Sequence, residues 1–151
     1  MTENMDTKQE EIHRMEKDLR YIAAIIKQQG RKILSNYTIT PPQFVALQWL
    51  FEHGDMTIGD LSNKMYLAFS TTTDLVDRME KNELVKRVRD DKDRRVVRIH
   101  LLEEGGRVIQ EVIDKRRQYL EDVMKDFSEE ELRSFTDLLS KLHVEMSPEP
   151  K

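Results

Sequence analysis

The sequence predicts a mainly α-helical protein with one small β-ribbon. Apolar residues recur at three- and four-residue steps along most of the chain, which is the pattern of amphipathic helices. Two short runs with alternating apolar residues, 84–88 and 96–101, flank a charged tip at 89–95 and indicate a pair of antiparallel strands. Because two closely spaced short helices come directly before this pair, the predicted fold class is a winged helix-turn-helix with a helical arm at each end.

The N-terminal arm is predicted as one long helix over about residues 8–35, and the polar segment 1–7 before it is expected to fray. Its apolar residues form a single stripe, made of Ile12, Met15, Leu19, Ile22, Ile25, Ile26 and Ile33. The C-terminal arm is predicted to follow Gly105 and Gly106 as two helices with apolar stripes of their own. These stripes exceed what a small core needs, so we expect them to pair with those of a second chain.

Capping residues mark where several helices begin. Three capping boxes are predicted, Thr40 with Gln43, Thr57 with Asp60, and Ser128 with Glu131. Pro41 is suited to the first turn of the helix that Thr40 begins, because its missing N–H would have no partner there.

These signals divide the chain into four segments. Residues 1–35 are the N-terminal dimerisation helix, 36–102 the winged helix-turn-helix domain, 103–146 the C-terminal dimerisation helices and 147–151 a tail. The prolines of the tail prevent the last helix from continuing. In the dimer we expect the helices and the winged domain to form one intertwined domain.

Composition restricts the class of function. The chain has 151 residues, no cysteine, a net charge of −4 and no apolar segment long enough for a membrane helix or a signal peptide. We therefore expect a cytoplasmic protein without disulfides or thiolate metal sites. The four histidines lack metal-binding spacing, and no Ser–His–Asp group, paired catalytic carboxylates or glycine-rich phosphate loop stands out. The sequence predicts no enzyme activity, no metal and no cofactor.

The predicted ribbon is strongly basic although the protein is acidic. Residues 84–98 contain seven Lys or Arg and three Asp, a local net charge of +4 against −4 for the whole chain. Such a local excess predicts one face that binds a polyanion. The residues expected to contact DNA from this wing are Arg89, Lys92, Asp93, Arg94 and Arg95.

Asp93, Arg94 and Arg95 suggest a specific mechanism at the tip of the ribbon. A guanidinium inserted in a narrow minor groove is favoured by the negative potential there. A neighbouring carboxylate holds the guanidinium in one rotamer beforehand, which reduces the entropy lost on binding. The alternative is a solvated hairpin whose charges neutralise one another.

The helix before the ribbon is predicted over about residues 70–81, with Leu75, Val76 and Met79 buried. Its first turns hold short polar side chains, which reach base edges or phosphates when a helix enters a major groove. The alternative is that these Ser and Thr residues only cap the helix. The residues expected to contact DNA from this recognition helix are Phe69, Ser70, Thr71, Thr73, Asp74 and Arg78.

Several of these segments together resemble the MarR (multiple antibiotic resistance regulator) family. The resemblance is carried by TTDLVDRMEKNELV at 72–85, DDKDRR at 90–95 and LLEEG at 101–105, and it extends over about residues 8–146. It implies a homodimeric winged-helix transcription regulator, usually a repressor, that a small phenolic or lipophilic effector releases from DNA. It also implies that Arg95 is the minor-groove arginine and that Asp93 is its supporting acid. The two recognition helices of such a dimer are expected to read a pseudo-palindromic operator.

Four residues depart from the family pattern. Ala68 replaces a small hydroxyl residue before the recognition helix, so the N-cap is expected to shift to Ser70. Asp74 stands where a cationic or neutral polar residue is frequent, and its carboxylate can accept a hydrogen bond from cytosine N4. Glu83 replaces a glycine at a position where a positive φ costs other residues about 1 kcal/mol. Leu102 replaces the usual threonine cap.

Two pairs of alternatives remain at this point. Four aromatic residues are predicted to line an effector pocket between the winged domain and the arm helices, or else to pack individually in the core: Tyr21, Trp49, Phe51 and Tyr66. The protein itself is predicted to be a sequence-specific regulator that binds double-stranded DNA. The alternative is a winged-helix module that binds another protein and no DNA.

Overall fold

The computed structural model describes residues 2–148 and confirms a mainly helical protein with a small antiparallel sheet. In chain order the elements are α1 (Thr2–Leu34), α2 (Pro41–His53), β1 (Met56–Thr57), α3 (Ile58–Met65), α4 (Phe69–Lys81), β2 (Val85–Arg89), β3 (Val97–Leu101), α5 (Glu103–Val123) and α6 (Glu129–Met146). Within this part of the chain, no helix has the length and apolar character needed to cross a membrane.

The sheet has three strands in the order β1-β3-β2, and both neighbouring pairs are antiparallel. β2 and β3 form the predicted ribbon, in which Arg87 lies opposite Ile99. The sequence does not predict β1, which pairs with the other edge of β3 so that Met56 also lies opposite Ile99. A strand of two residues has no alternation to detect, so only its pairing in the folded chain reveals it.

The core of the winged domain is shared by α2, α3, α4, the sheet and the first part of α5. Each contributes a fully or almost fully buried side chain, namely Leu47, Leu61, Met79, Ile99 and Ile109. On α4 the buried stripe is Thr72, Val76 and Met79, spaced four and three residues apart. Leu75, which was expected on this stripe, is half-buried at the margin of the core because Thr72 occupies the inner position.

Two of the three predicted capping boxes are confirmed. At the starts of α2 and α6, the N-cap side chain and the third helical residue exchange both hydrogen bonds. At the start of α3, the Thr57 side chain accepts the backbone N–H of Asp60 at 3.1 Å. In the described structure the Asp60 carboxylate does not accept the backbone N–H of Thr57. Aspartate is one methylene shorter than the Glu or Gln that completes such a box.

The predicted N-termini of α1 and α4 are wrong. α1 begins at Thr2 instead of near residue 8, because no helix breaker separates the polar segment from the apolar stripe that follows. The N-cap of α4 is Ala68, not Ser70, and it makes no side-chain hydrogen bond. α6 ends at Met146, as the tail prolines predict. Met1 and residues 149–151 of the predicted ends lie outside the described residues.

The start of α5 also differs from the prediction. α5 begins at Glu103, so Gly105 and Gly106 lie in its first turn instead of before it. Gly105 is buried against the α4–β2 connection: a Cβ there would overlap the carbonyl oxygen of Leu84 and lie 2.7 Å from Leu101 Cδ1. This glycine is therefore required by close packing and is not a signal for the start of the helix.

Glu83 has a φ of +61°, which confirms the positive φ expected at this position. Glu83→Gly should stabilise the protein by about 1 kcal/mol, because glycine adopts a positive φ without a Cβ clash. Asn82→Gly is the matched control, since Asn82 has a φ of −88° and relieves no strain when replaced. Urea unfolding at one fixed protomer concentration measures both variants, and an unchanged stability of Glu83→Gly would contradict the expectation.

Both helical arms expose apolar side chains in the single chain. The chain divides into two compact units, with the boundary between Arg116 and Arg117 inside α5. In the first unit, α1 has a stripe of apolar residues that are 47% to 54% exposed, made of Ile12, Met15, Leu19, Ile22 and Ile25. In the second unit, α6 has no buried residue, and each of its large apolar side chains is at least 37% exposed.

Candidate nucleic-acid interface

α4 presents most of its predicted DNA-contacting side chains to solvent. Ser70, Thr71, Asp74 and Arg78 lie opposite the buried stripe, whereas Phe69 is exposed as the first residue of the helix. Five of the six are exposed, namely Phe69, Ser70, Thr71, Asp74 and Arg78. Thr73 differs from them. It is half-buried, and its hydroxyl donates to the carbonyl oxygen of Phe69 at 3.0 Å.

No serine or threonine caps α4. The N-cap is Ala68, whose side chain has no hydrogen-bonding group. Thr72 and Thr73 donate to carbonyl oxygens one turn back, whereas the hydroxyls of Ser70 and Thr71 have no hydrogen-bond partner among the described residues. The interpretation of these side chains as helix caps is therefore wrong, and the hydroxyls of Ser70 and Thr71 are free to bind a ligand.

Asp90 builds the turn at the tip of the wing. One of its carboxylate oxygens accepts the backbone N–H of Asp93 at 2.8 Å, and the other accepts the guanidinium of Arg98 at 2.9 Å. These two donors hold the pKa of Asp90 below its usual range. Hydrogen bonds from the backbone N–H of Asp90 to Val96 and from Val96 to Asp93 close the turn. The tip is therefore ordered by its own hydrogen bonds.

Asp93 orients the side chain of Arg95. Its carboxylate accepts Arg95 Nε at 3.1 Å, Arg95 Nη2 at 3.3 Å and the backbone N–H of Arg95 at 3.1 Å. These bonds lower the pKa of Asp93, so the carboxylate is ionised near neutral pH. The Arg95 side chain is nevertheless 91% exposed. The guanidinium is thus both oriented and accessible, as the supporting-acid hypothesis requires.

The wing also carries positive charge that no acidic side chain neutralises in the part of the chain that the structure describes. Among the described residues, Lys92 and Arg94 have no carboxylate partner. Arg89 donates to the backbone carbonyl of Arg94 at 2.8 Å, which leaves its charge uncompensated by an acid. These three cations, together with Arg95, form a basic surface at the tip.

Arg87 is not part of this free basic surface. Its guanidinium donates to Asp77 and to Glu80, both at 2.6 Å, and Glu80 also accepts the backbone N–H of Arg87 at 3.1 Å. These bonds join the second half of α4 to β2, so they position the recognition helix relative to the wing. The three-residue spacing of Asp77 and Glu80 places both on one face of α4. The sequence does not show that Arg87 lies beside this face, because that depends on how β2 packs against the helix.

The four aromatic residues of the predicted effector pocket lie in different surroundings. Trp49 is half-buried, stacks on His53 with ring centroids 5.1 Å apart and lies under Lys64 Nζ at 5.4 Å. Tyr21, Phe51 and Tyr66 are 57%, 42% and 80% exposed. The alternative prediction, that each packs in the core, is therefore wrong for these three residues. Their role in binding an effector stays a prediction.

Proteins with a similar sequence are transcriptional regulators. The model of the MarR family matches residues 39–97. A Bacillus subtilis protein described as the "Uncharacterized HTH-type transcriptional regulator YsmB" is 66% identical over 137 residues, which are 91% of this chain and 94% of that protein.

Solved structures with the same fold are similar over almost the whole chain. A MarR family protein from Bacillus stearothermophilus is 63% identical with a TM-score of 0.87, and the match covers 91% of this chain and 96% of that one. NadR, solved in complex with 4-hydroxyphenylacetate, is 26% identical with a TM-score of 0.67, and the match covers 83% of this chain and 89% of NadR.

Proposed function

Because the chain belongs to the MarR family, we propose that it is a sequence-specific transcription regulator that binds double-stranded DNA. The observation that carries this proposal is the wing tip, where Asp93 orients an exposed Arg95 beside cations that have no acidic partner among the described residues. An arginine held in this way suits a narrow minor groove, and the exposed polar face of α4 suits a major groove. A protein-interaction module needs neither feature.

A gel shift with the DNA upstream of the gene tests the proposal. We expect a discrete complex that survives an excess of unrelated competitor DNA, because specific sites bind typically 10³ to 10⁷ times more tightly than non-specific ones. The salt concentration is held fixed, since phosphate contacts make the affinity strongly salt-dependent. A complex that the competitor removes completely, or no complex at all, would support the alternative of a winged-helix module for another protein.

We propose that two copies pair through the helical arms. The support is the exposed apolar stripe on α1 and the absence of buried residues on α6, since a soluble monomer rarely leaves such stripes uncovered. Sedimentation at micromolar concentration should therefore show a species of twice the 18.0 kDa chain mass. A single species of 18.0 kDa would contradict the proposal. In the dimer, the two recognition helices bind a pseudo-palindromic operator with half-sites about 10 base pairs apart.

Thr71→Ala and Asp74→Ala are expected to change the preferred bases more than the non-specific affinity. Both side chains are exposed on the first turns of α4, and base-edge contacts specify the sequence whereas phosphate contacts mainly position the protein. Asp74→Ala should lose a preference for cytosine, whose N4 donates to a carboxylate. Selection from random duplexes measures the preference, with the exposed acid variant Glu103→Ala as control. An unchanged consensus in both α4 variants would mean that these side chains do not face the groove.

We further propose that the protein is a cytoplasmic repressor that a small phenolic or lipophilic ligand releases from DNA. The similarity to NadR, which was solved with 4-hydroxyphenylacetate, supports a phenolic acid as the first probe. Adding 4-hydroxyphenylacetate to the gel shift should dissociate the complex, and Trp49→Ala should reduce that effect. A complex that persists at millimolar ligand would contradict a phenolic-acid effector.

A further inference from the structure

We propose that Tyr66 and Phe69, which we call the aromatic edge, contact a thymine-containing step of the operator. Phe69 packs against the C5-methyl group of a thymine, and Tyr66 donates its phenolic hydroxyl to a backbone phosphate. This inference rests on the proposed DNA-binding function and adds a base preference to it. It also moves Tyr66 from the predicted effector pocket to the DNA surface.

Both rings of the aromatic edge lie in solvent beside the connection between α3 and α4. Tyr66 is 80% exposed and Phe69 is 62% exposed. In the described part of the chain neither ring stacks on another, and the Tyr66 hydroxyl has no hydrogen-bond partner. Single exposed apolar residues are ordinary, but these two flank the same two-residue connection at 67–68. Both rings are therefore exposed within three residues of each other in the chain, at the start of the recognition helix.

The backbone conformation of Tyr66 is also unfavourable for a tyrosine. It ends α3 with φ +55° and ψ +40°, and its N–H donates to the carbonyl oxygens of Asn63 and Ser62. This left-handed region suits glycine, whereas a bulky side chain is unusual there. Stability alone would favour glycine at this position. A large exposed ring at a strained position indicates a use outside the folding of the chain.

The position of Phe69 in α4 indicates which group of the DNA its ring contacts. It is the first residue of α4 and comes directly before Ser70 and Thr71, whose hydroxyls have no hydrogen-bond partner within the described chain. When a helix enters a major groove, its N-terminal residues reach the base edges. A phenyl ring has no hydrogen-bonding group, so among the groups on those edges it matches the thymine methyl.

Tyr66 lies outside the helix, three residues before Phe69, where the sugar–phosphate backbone is the expected neighbour. Tyrosine hydroxyls are among the ordinary donors to phosphate oxygens. The wing of the same domain has a basic surface, on which Lys92 and Arg94 have no acidic partner among the described residues. This charge favours a polyanion over an apolar protein surface as the partner of the aromatic edge.

Thymine-to-deoxyuridine replacement in the selected operator tests the contact of Phe69, because it removes only the methyl group. For wild type, replacement of one particular thymine in a half-site should weaken binding about fourfold, the value of one buried methyl group. The Phe69→Ala protein should bind the thymine duplex and the deoxyuridine duplex with equal affinity. The Phe69→Leu protein should retain part of the wild-type difference in affinity between them. If no thymine shows a methyl effect that Phe69→Ala removes, the contact is overturned. A wild-type protein that binds no operator overturns the proposed function as well.

Two substitutions of Tyr66 test the phosphate contact. Tyr66→Phe should weaken binding to the operator and to non-specific DNA by a similar factor, with an unchanged salt slope, because an uncharged hydroxyl releases no counterion. Tyr66→Gly should raise the Tm by roughly 2–4 °C, since it relieves the left-handed strain, and yet weaken DNA binding. A Tyr66→Gly protein that is more stable and binds the operator as tightly as wild type would overturn the role of Tyr66.

Discussion

Arg95→Ala is expected to weaken operator binding by roughly 1–3 kcal/mol, the range of a well-placed specific contact. The fold should remain intact, because the side chain is 91% exposed and bonds only to Asp93 among the described residues. Substitutions at such positions usually change stability by less than about 0.5 kcal/mol. Anisotropy titration with the operator and thermal unfolding of the same preparation measure both quantities. A melting temperature that falls together with the affinity would point to a structural role instead.

The variant Asp93→Ala distinguishes between two explanations of how the wing binds DNA. If Asp93 holds Arg95 ready for the minor groove, the variant binds the operator more weakly although it has lost a negative charge. If the wing acts only through its net charge, loss of an acid near phosphate increases the affinity. The two explanations differ in sign, so a titration at one fixed salt concentration decides between them. Tighter binding by Asp93→Ala would overturn the supporting-acid hypothesis.

Lys92→Ala is the matched control within the same turn. Lys92 has no acidic partner among the described residues and is suited to a phosphate contact. Its removal should weaken binding to all sequences alike and lower the salt slope by about one phosphate contact. Arg95→Ala, in contrast, should reduce the ratio of specific to non-specific affinity.

Gly105→Ala is expected to destabilise the protein by about 1–3 kcal/mol, the usual effect of forcing extra atoms into a packed core. The new Cβ would overlap the Leu84 carbonyl oxygen and lie 2.7 Å from Leu101 Cδ1. The Leu84 carbonyl cannot rotate away without losing a hydrogen bond, because its oxygen accepts the backbone N–H of Leu102 at 2.9 Å. α5 must therefore move away from the α4–β2 connection.

Gly106→Ala is the control for this substitution. Gly106 lies on the same helical turn, but a Cβ there would meet only Leu101 Cδ2, at an ordinary 3.9 Å. Alanine is favoured over glycine in a helix by about 0.5–1 kcal/mol, so this variant should be at least as stable as wild type. Urea unfolding at equal protomer concentration compares the two. Equal stability of both alanine variants would show that α5 tolerates a side chain at Gly105.

The features that were predictable from the sequence are those set by residues close together in the chain. Helical periodicity, the capping boxes of α2 and α6, and the charged turn between β2 and β3 depend on neighbours within a few residues. The positive φ of Glu83 belongs to the same class, because a helix C-terminus imposes it locally. For the same reason the pairing of Asp93 with Arg95, two residues apart, was foreseeable at the candidate site.

Contacts between distant residues decided the rest. The start of α5 depends on how closely Gly105 approaches Leu84, and β1 exists only because β3 offers a free edge to it. Likewise, the sequence counts Arg87 among the wing cations, but the folded chain places it between Asp77 and Glu80, where its charge is compensated. Local composition determined that the wing is basic. Tertiary packing determined which wing cations lack an acidic partner among the described residues, because an ion pair depends on distance in space and not on separation in sequence.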